Sequence, residues 1–501
     1  MSDSRRLTDW STESGVLGDL QGQRHLYCQL AENALLVAEN LRDNYLHNTA
    51  QFVHQLRLKI LDAERRDIPP ILEIHNCDDL TWSDVRDEVV TFIDGGVGRV
   101  QVASRAPILL RVGSYTVKAG ERNIAERESF GYYPVILGDL EGGSKERDDF
   151  IDVVRVTAEI LGGLSALNRT PDLDALIFHG PLIYLRGSHT GHSPFTESDI
   201  DLFLRRYGVD DSSGRMLKQD FFTTARLDIY PAMTPRSHDW ITQRLFEPLA
   251  FLAFLQQRLI ASARAHPHQP LIVGVVERGR ERSFVESVLL PRVFRGLREK
   301  GNENWFNDLF GRHDLTTEHA VTERLGYSDT FLLGMLLRPG QLSEPWTMHK
   351  YGSLASGALR LPSEGFETAV DWSVLRPGNR NGFPEVSAGY VCVTEVSEPI
   401  RIEVFSPLGP DEIYRAAKRV YLYARLLPGY GFPVGLDIAD KHARVPDWLT
   451  RAYGKMIRYQ LGVSLQQGEI TDVEMRRILV QAIHMTHRDW LFRPLADGVI
   501  R

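Results

Sequence analysis

The stretch from Glu88 to Val97, Glu-Val-Val-Thr-Phe-Ile-Asp-Gly-Gly-Val, constrains this chain more than any other. An apolar, β-branched run stops at Asp94, and two glycines follow. A run of that kind bounded by turn residues reads as a buried strand ending at the Asp. Gly95 and Gly96 let a backbone, a substrate or a metal come close with no Cβ in the way. A carboxylate at the mouth of a central strand suits a metal ligand, because hard divalent cations prefer oxygen donors. The plain alternative is a turn with a solvated Asp. Its company decides.

The same grammar recurs twice. Asp174-Ala-Leu-Ile-Phe-His179-Gly180-Pro181-Leu182-Ile183 is an apolar strand ending in a ligand-type residue and then Gly. A neutral imidazole there serves as metal ligand or base, depending on what holds its other nitrogen. Pro270-Leu-Ile-Val-Gly-Val-Val-Glu277-Arg278-Gly279-Arg280 is a third buried strand ending in charge. Between the first two lies a helix, Asp148 to Leu167, with an apolar stripe of Ile151, Val154, Ala158 and Leu161. Asp152, Arg155 and Glu159 form a second stripe about 100° round the axis, so Glu159 borders the buried face. An exposed i,i+4 pair of Arg155 with Glu159 is the bland reading.

Composition narrows the class. The 501 residues are 43% hydrophobic and 25% charged, enough for a large core and for two or three domains, or one elaborated α/β domain. A net charge of −8 argues against a surface coated for nucleic acid. The last stretch, 401–501, nevertheless carries 15 Lys and Arg against 11 Asp and Glu, a modest surplus that could follow a phosphate backbone. Three scattered cysteines predict neither a disulfide framework nor a Cys-based zinc site. The polar Met-Ser-Asp-Ser-Arg-Arg start and the lack of an apolar run of membrane-spanning length predict a cytoplasmic protein with no membrane partner.

Around these strands the chain is largely helical at both ends. Leu26 to Arg66 reads as a helical arm with apolar positions Leu30, Leu35, Leu36, Leu41, Phe52, Leu56 and Ile60, stopped by Pro69-Pro70. Strands after Asp94, in Gly98–Lys118, predict a β-meander. His189 and His192 sit in a Ser/Gly loop and make weak metal candidates. Phe246 to Ala265 and Phe331 to Leu337 read as helices, Gly389–Glu395 and Pro399–Phe405 as paired strands, and the chain from Asp411 as helices broken at Pro428–Pro433.

The order of these motifs resembles the NurA nuclease family: Phe-Ile-Asp94-Gly-Gly, the Arg155/Glu159 helix, Leu-Ile-Phe-His179-Gly-Pro-Leu, Val-Gly-Val-Val-Glu277-Arg278, Asp329 before an apolar helix, Pro399-Ile-Arg-Ile-Glu403, and Phe432-Pro-Val-Gly-Leu-Asp-Ile-Ala-Asp440-Lys-His442. The resemblance covers roughly residues 85–450. It implies an α/β fold and an RNase H-like core with a central mixed sheet flanked by helices; outside it the residues themselves read as a helical N-terminal arm over 1–84 and a helical C-terminal extension over 451–501. It further implies a Mn²⁺- or Mg²⁺-dependent DNA nuclease, a homodimer, and work with a HerA-type hexameric DNA-translocating ATPase in end processing or antiviral defence. Asp94 matches the family's first Asp-Gly motif and Glu159 its helix Glu. His179 stands where many members have Asp, Glu277 where a basic residue is common, and Asp440 where His is common. The candidate catalytic and metal residues are therefore Asp94, Glu159, His179 and Glu277, the last if its strand lies beside that of Asp94. Arg278, Arg401, Lys441 and His442 are candidates for contacts with DNA. The alternative is a catalytically degenerate nuclease fold serving as a HerA-binding or DNA-guiding subunit. A glycosidase with paired carboxylates is disfavoured for want of aromatic-lined sugar subsites.

Overall fold

The computed structural model describes residues 24–66, 71–100, 108–137, 144–182, 201, 204–205, 248–277, 279, 281–300, 326–348 and 384–484. Arg278, His189 and His192 lie outside the described residues. The chain divides into two compact units, Met1–Glu73 with Arg280–Leu336, and Ile74–Gly279 with Leu337–Arg501. The helices of the arm expected over 1–84 share a unit with residues from the middle of the chain.

The larger unit is built on a ten-stranded mixed sheet. Its strands are β1 (Ile74–Asn76), β2 (Val89–Arg99), β3 (Ile108–Lys118), β4 (Glu128–Leu137), β5 (Leu173–His179), β6 (Leu271–Val276), β7 (Gln341–Ser343), β8 (Trp346–Thr347), β9 (Val386–Cys392) and β10 (Ile400–Phe405). They lie in the order β1-β7-β9-β10-β6-β5-β2-β3-β4, with β8 on β9. β2, β3 and β4 form the expected antiparallel meander; β5 then returns parallel to β2, and β6 parallel to β5. Helices supply the two returns: α1 (Ser144–Arg169) precedes β5 and α2 (Pro248–Ala265) precedes β6. After β10 come α3 (Glu412–Ala424), α4 (Val434–Ala443), α5 (Asp447–Gln466) and α6 (Val473–His484).

The strand sequences explain their central place. Ala175, Leu176, Ile177 and Phe178 of β5 and Leu271–Val275 of β6 are all buried, as continuous apolar runs covered on both faces must be. One face packs Val90, Phe92, Ala175, Ile177, Val273, Ile402 and Val404 against Val420, Leu436 and Ala439 of α3 and α4. On the other, Gly162 and Gly163 bring α1 down onto Ile93, Val112, Leu176 and Phe178.

β2 does not end at Asp94, as the Gly-Gly pair predicted. It runs on to Arg99, because β3 keeps pairing with it from Asp94↔Gly113 to Arg99↔Ile108. The glycines serve side-to-side contact instead of a turn. Among the described residues no helix is long and apolar enough to cross a membrane.

In the smaller unit, Arg24–Asn40 and His47–Arg66 are α-helices joined by a π-helical stretch at Leu41–Leu46. Of the expected apolar stripe, Phe52, Leu56 and Ile60 are buried while Leu30, Leu35, Leu36 and Leu41 are exposed. Tyr327 stacks on Phe52 at 5.6 Å, and the buried Asp329 carboxylate accepts the Phe284 and Val285 N–H groups, each at 2.9 Å.

Candidate metal centre

β5 leaves β2 at one point in the sheet. Their parallel pairing runs as far as Ile93↔Phe178, so Asp94 and His179 come next, side by side. Both project to the face covered by α4, since side chains alternate and Ile93 and Phe178 meet α1. His179 Nδ1 lies 3.1 Å from Asp94 Oδ2, while Asp94 Oδ1 accepts the Gly95 N–H at 2.7 Å. The His179 ring is backed by Phe432, 5.5 Å between centroids.

α4 completes the site. It sits on bare backbone: a Cβ on Gly96 would collide with the Ala443 carbonyl, and one on Gly113 would lie 2.8 Å from the Ala443 nitrogen. That approach carries Asp440 to the Asp94 side chain. Asp94, His179 and Asp440 each offer a ligand atom, and these atoms all lie within 4.8 Å of one another. Asp94 is 6% exposed, His179 is half-buried and Asp440 faces solvent.

Glu159 approaches from the other face. It is 5% exposed and pairs with Arg155 at 2.5 Å. A Cβ on Gly95 would run into this carboxylate, so the first glycine of the pair makes room for it. The bland reading of Arg155 with Glu159 as a solvated surface pair is thereby excluded.

The electrostatics share one direction. Burial pushes Glu159 up to about 7, against the pull of Arg155 and helped by the charge of Asp94. Burial and the neighbouring Asp94 raise Asp440 as well. Burial alone would lower His179, but its hydrogen bond to Asp94 and the charges of Asp94, Glu159 and Asp440 outweigh that and raise it. Three carboxylates face one guanidinium and one imidazole, and Glu159, Asp440 and His179 are all shifted toward their protonated forms. The place is short of positive charge.

The sequence-derived candidates therefore divide. Asp94 and His179 meet in one cluster, and Glu159 is coupled to both from the opposite face. Glu277 does not belong to that three-residue cluster: β5 separates its strand from β2, so the adjacency on which its candidacy depended is not met, and its side chain is exposed beyond the end of β6. Arg401, expected at DNA, is 0% exposed and pairs with Glu403 at 2.8 Å, which takes it away from any external phosphate. Lys441 is exposed one residue past Asp440, and the His442 ring lies 4.5 Å from that of Phe130. Asp440 is the residue that sequence reasoning missed; it was noted there only as standing in place of a His. The available signal was its position on a helix directly after Phe432-Pro433.

No family model matches the chain, and no curated protein matches it. Among solved structures it is similar to the NurA nuclease from Sulfolobus solfataricus, at 12% identity and a TM-score of 0.43, over 88% of this chain and 98% of that one. It is also similar to a NurA structure at 9% identity and a TM-score of 0.33, over 85% and 94% of the two chains. A structure of NurA bound to dAMP and manganese aligns at 10% identity and a TM-score of 0.31, over 88% and 94%.

Proposed function

We propose that the protein is a divalent-metal-dependent DNA nuclease that hydrolyses phosphodiester bonds with Mn²⁺ or Mg²⁺ held by Asp94, His179 and Asp440. The observation that carries the proposal is the convergence of two carboxylates and an imidazole from β2, β5 and α4 on one point. The donor set suits such an ion, since hard cations prefer oxygen and imidazole binds Mn²⁺ as well. The exchange relative to the family pattern also makes sense in these terms. His stands where Asp is usual and Asp where His is usual, and the two positions adjoin, so the donor set is kept while its members trade places.

A bound divalent ion supplies Lewis-acid stabilisation of the phosphoryl oxygens and lowers the pKa of water. The chain does the rest. Asp94 holds the His179 ring through Nδ1 and fixes its orientation. Glu159, poised near neutrality by burial, can take or give a proton at its carboxyl while Arg155 steadies its charged form. Lys441, exposed beside Asp440, is placed to meet a phosphate. The RNase H-like reading of the core is supported by the meander of β2, β3 and β4 followed by two parallel returns. Action with a HerA-type ATPase, as a homodimer, in end processing or antiviral defence follows from the motif resemblance and belongs to the same proposal.

A second reading has one observation in its favour: Arg155 already compensates Glu159, which would suit a degenerate nuclease fold kept as a HerA-binding or DNA-guiding subunit. One experiment separates them. Asp94→Ala is expected to bring Mn²⁺-dependent cleavage to background and to erase the Mn²⁺ isotherm in calorimetry, with the melting temperature in EDTA maintained. Equal cleavage by both proteins defeats the nuclease proposal, and an absent isotherm in the wild type favours the scaffold.

A further inference from the structure

We propose that the buried Arg401–Glu403 pair is a positioning device for His179, acting through the turn that leaves β5. The two residues alternate on β10, so they share a face, and they lie opposite Val276 and Gly274 of β6. Arg401 Nε donates to Glu403 Oε1 at 2.8 Å. The other oxygen, Oε2, accepts the Leu182 N–H at 2.7 Å. From α2, the buried Gln256 donates its Nε2 to the Leu182 carbonyl at 2.8 Å. Both backbone groups of Leu182 are thus held by buried side chains from two different elements.

The turn itself is tight. Gly180 has φ +124°, a backbone state that favours glycine, and its N–H donates to the Val275 carbonyl at 2.8 Å. Gly274 leaves room beneath: a Cβ there would lie 2.8 Å from both the Gly180 carbonyl oxygen and Leu182 Cγ. His179 is consequently fixed from two sides, by strand pairing before it and by this clamp after it.

A buried ion pair is a poor source of stability, since apolar residues of like volume often do as well or better. Its presence here coincides with a task that an apolar pair cannot perform. Glu403 must accept the Leu182 N–H inside the core, and Arg401, donating to its other oxygen, holds that acceptor in place.

The test exploits the same point. In the double variant R401M/E403M the fold is expected to survive, with a melting temperature lowered by the unpaired Leu182 N–H. The ¹⁵N signals of the His179 ring, read in metal-free protein, are expected to move from the position set by the Asp94 hydrogen bond. The Mn²⁺ dissociation constant is expected to rise about tenfold, as for other partners behind a ligand. Gln256→Met shifts the same signals to a smaller extent and decides the matter if the double variant fails to fold. Asp329→Asn, in the other unit, lowers the melting temperature and leaves the His179 signals in place. Wild-type ring signals in both clamp variants would overturn the proposal. Only the affinity measurement rests on the proposed metal function. If the wild type binds no Mn²⁺, that function fails, while displaced ring signals still support the clamp.

Discussion

β2 and β5 lie side by side, and each end of the pair carries a polar cluster of a different kind. Where they begin, Glu88 takes Arg419 Nη2 at 2.6 Å and Nε at 3.2 Å, with the Tyr423 hydroxyl at 3.2 Å. Asp174 accepts the Val89 N–H at 2.8 Å and meets His268 Nδ1 at 3.1 Å. Each carboxylate there has its donors, and the cluster fastens the sheet to α3. Where the strands part, Asp94 and Asp440 face each other beside one imidazole, and Glu159 stands behind. The same residue types are complementary at one end and mutually repelling at the other. Repulsion retained inside a folded protein needs a reason, and a cation is the simplest one.

The contrast can be broken in measurable ways. Asp440→Ala is expected to weaken Mn²⁺ binding about 10²-fold by calorimetry. The metal-free protein should not become less stable, because a like charge has been removed from beside Asp94. A large loss of stability would place Asp440 with the fastening clusters instead. Arg419→Met should behave in the opposite way. Stranding the partly buried Glu88 is expected to cost about 2–3 kcal/mol in denaturant unfolding, with Mn²⁺ affinity unchanged.

pH gives a more graded test. Glu159, Asp440 and His179 are all raised in the native protein, so it binds protons that the unfolded chain has released. The stability these groups contribute is complete below their unfolded values and is lost as pH rises through the folded ones. Melting of EDTA-treated protein should therefore fall from about pH 4 to beyond pH 7. Saturating Mn²⁺ should reverse the slope, because ligands must shed protons to bind. The smallest effect is expected from the exchange H179D/D440H, which should hold Mn²⁺ within about tenfold of the wild type. Loss of binding in that variant would mean that the two positions are not equivalent corners of one site.

Much of this was legible in the residues, for identifiable reasons. Apolar runs ended by Asp94 and His179 follow from local pattern, and their parallel strands bring them together. What escaped was set by long-range arrangement. Strand order placed β5 between β2 and β6, which no local pattern around Glu277 could reveal. Arg401 looks like a surface cation because its compensating partner is two residues on, on the same inward face. Asp440 looked like a lost His because its relation to His179 exists only after α4 has settled on the sheet. The grouping of the N-terminal helices with Arg280–Leu336 is equally invisible from the arm alone.

Gly95 and Gly96 remain the hinge of the matter, in a sense that concerns evolution and engineering more than binding. Two helices press on β2 at consecutive residues, one bearing Glu159 and the other the Ala443 end of α4. The spacing between them is that of naked main chain. Alanine, the mildest substitution available, would act at Gly96 as a wedge under α4 and lift Asp440 away from Asp94. Such a variant would keep every ligand and still lose the distance between them, so the motif's silence at these two positions sets the gauge of the whole site.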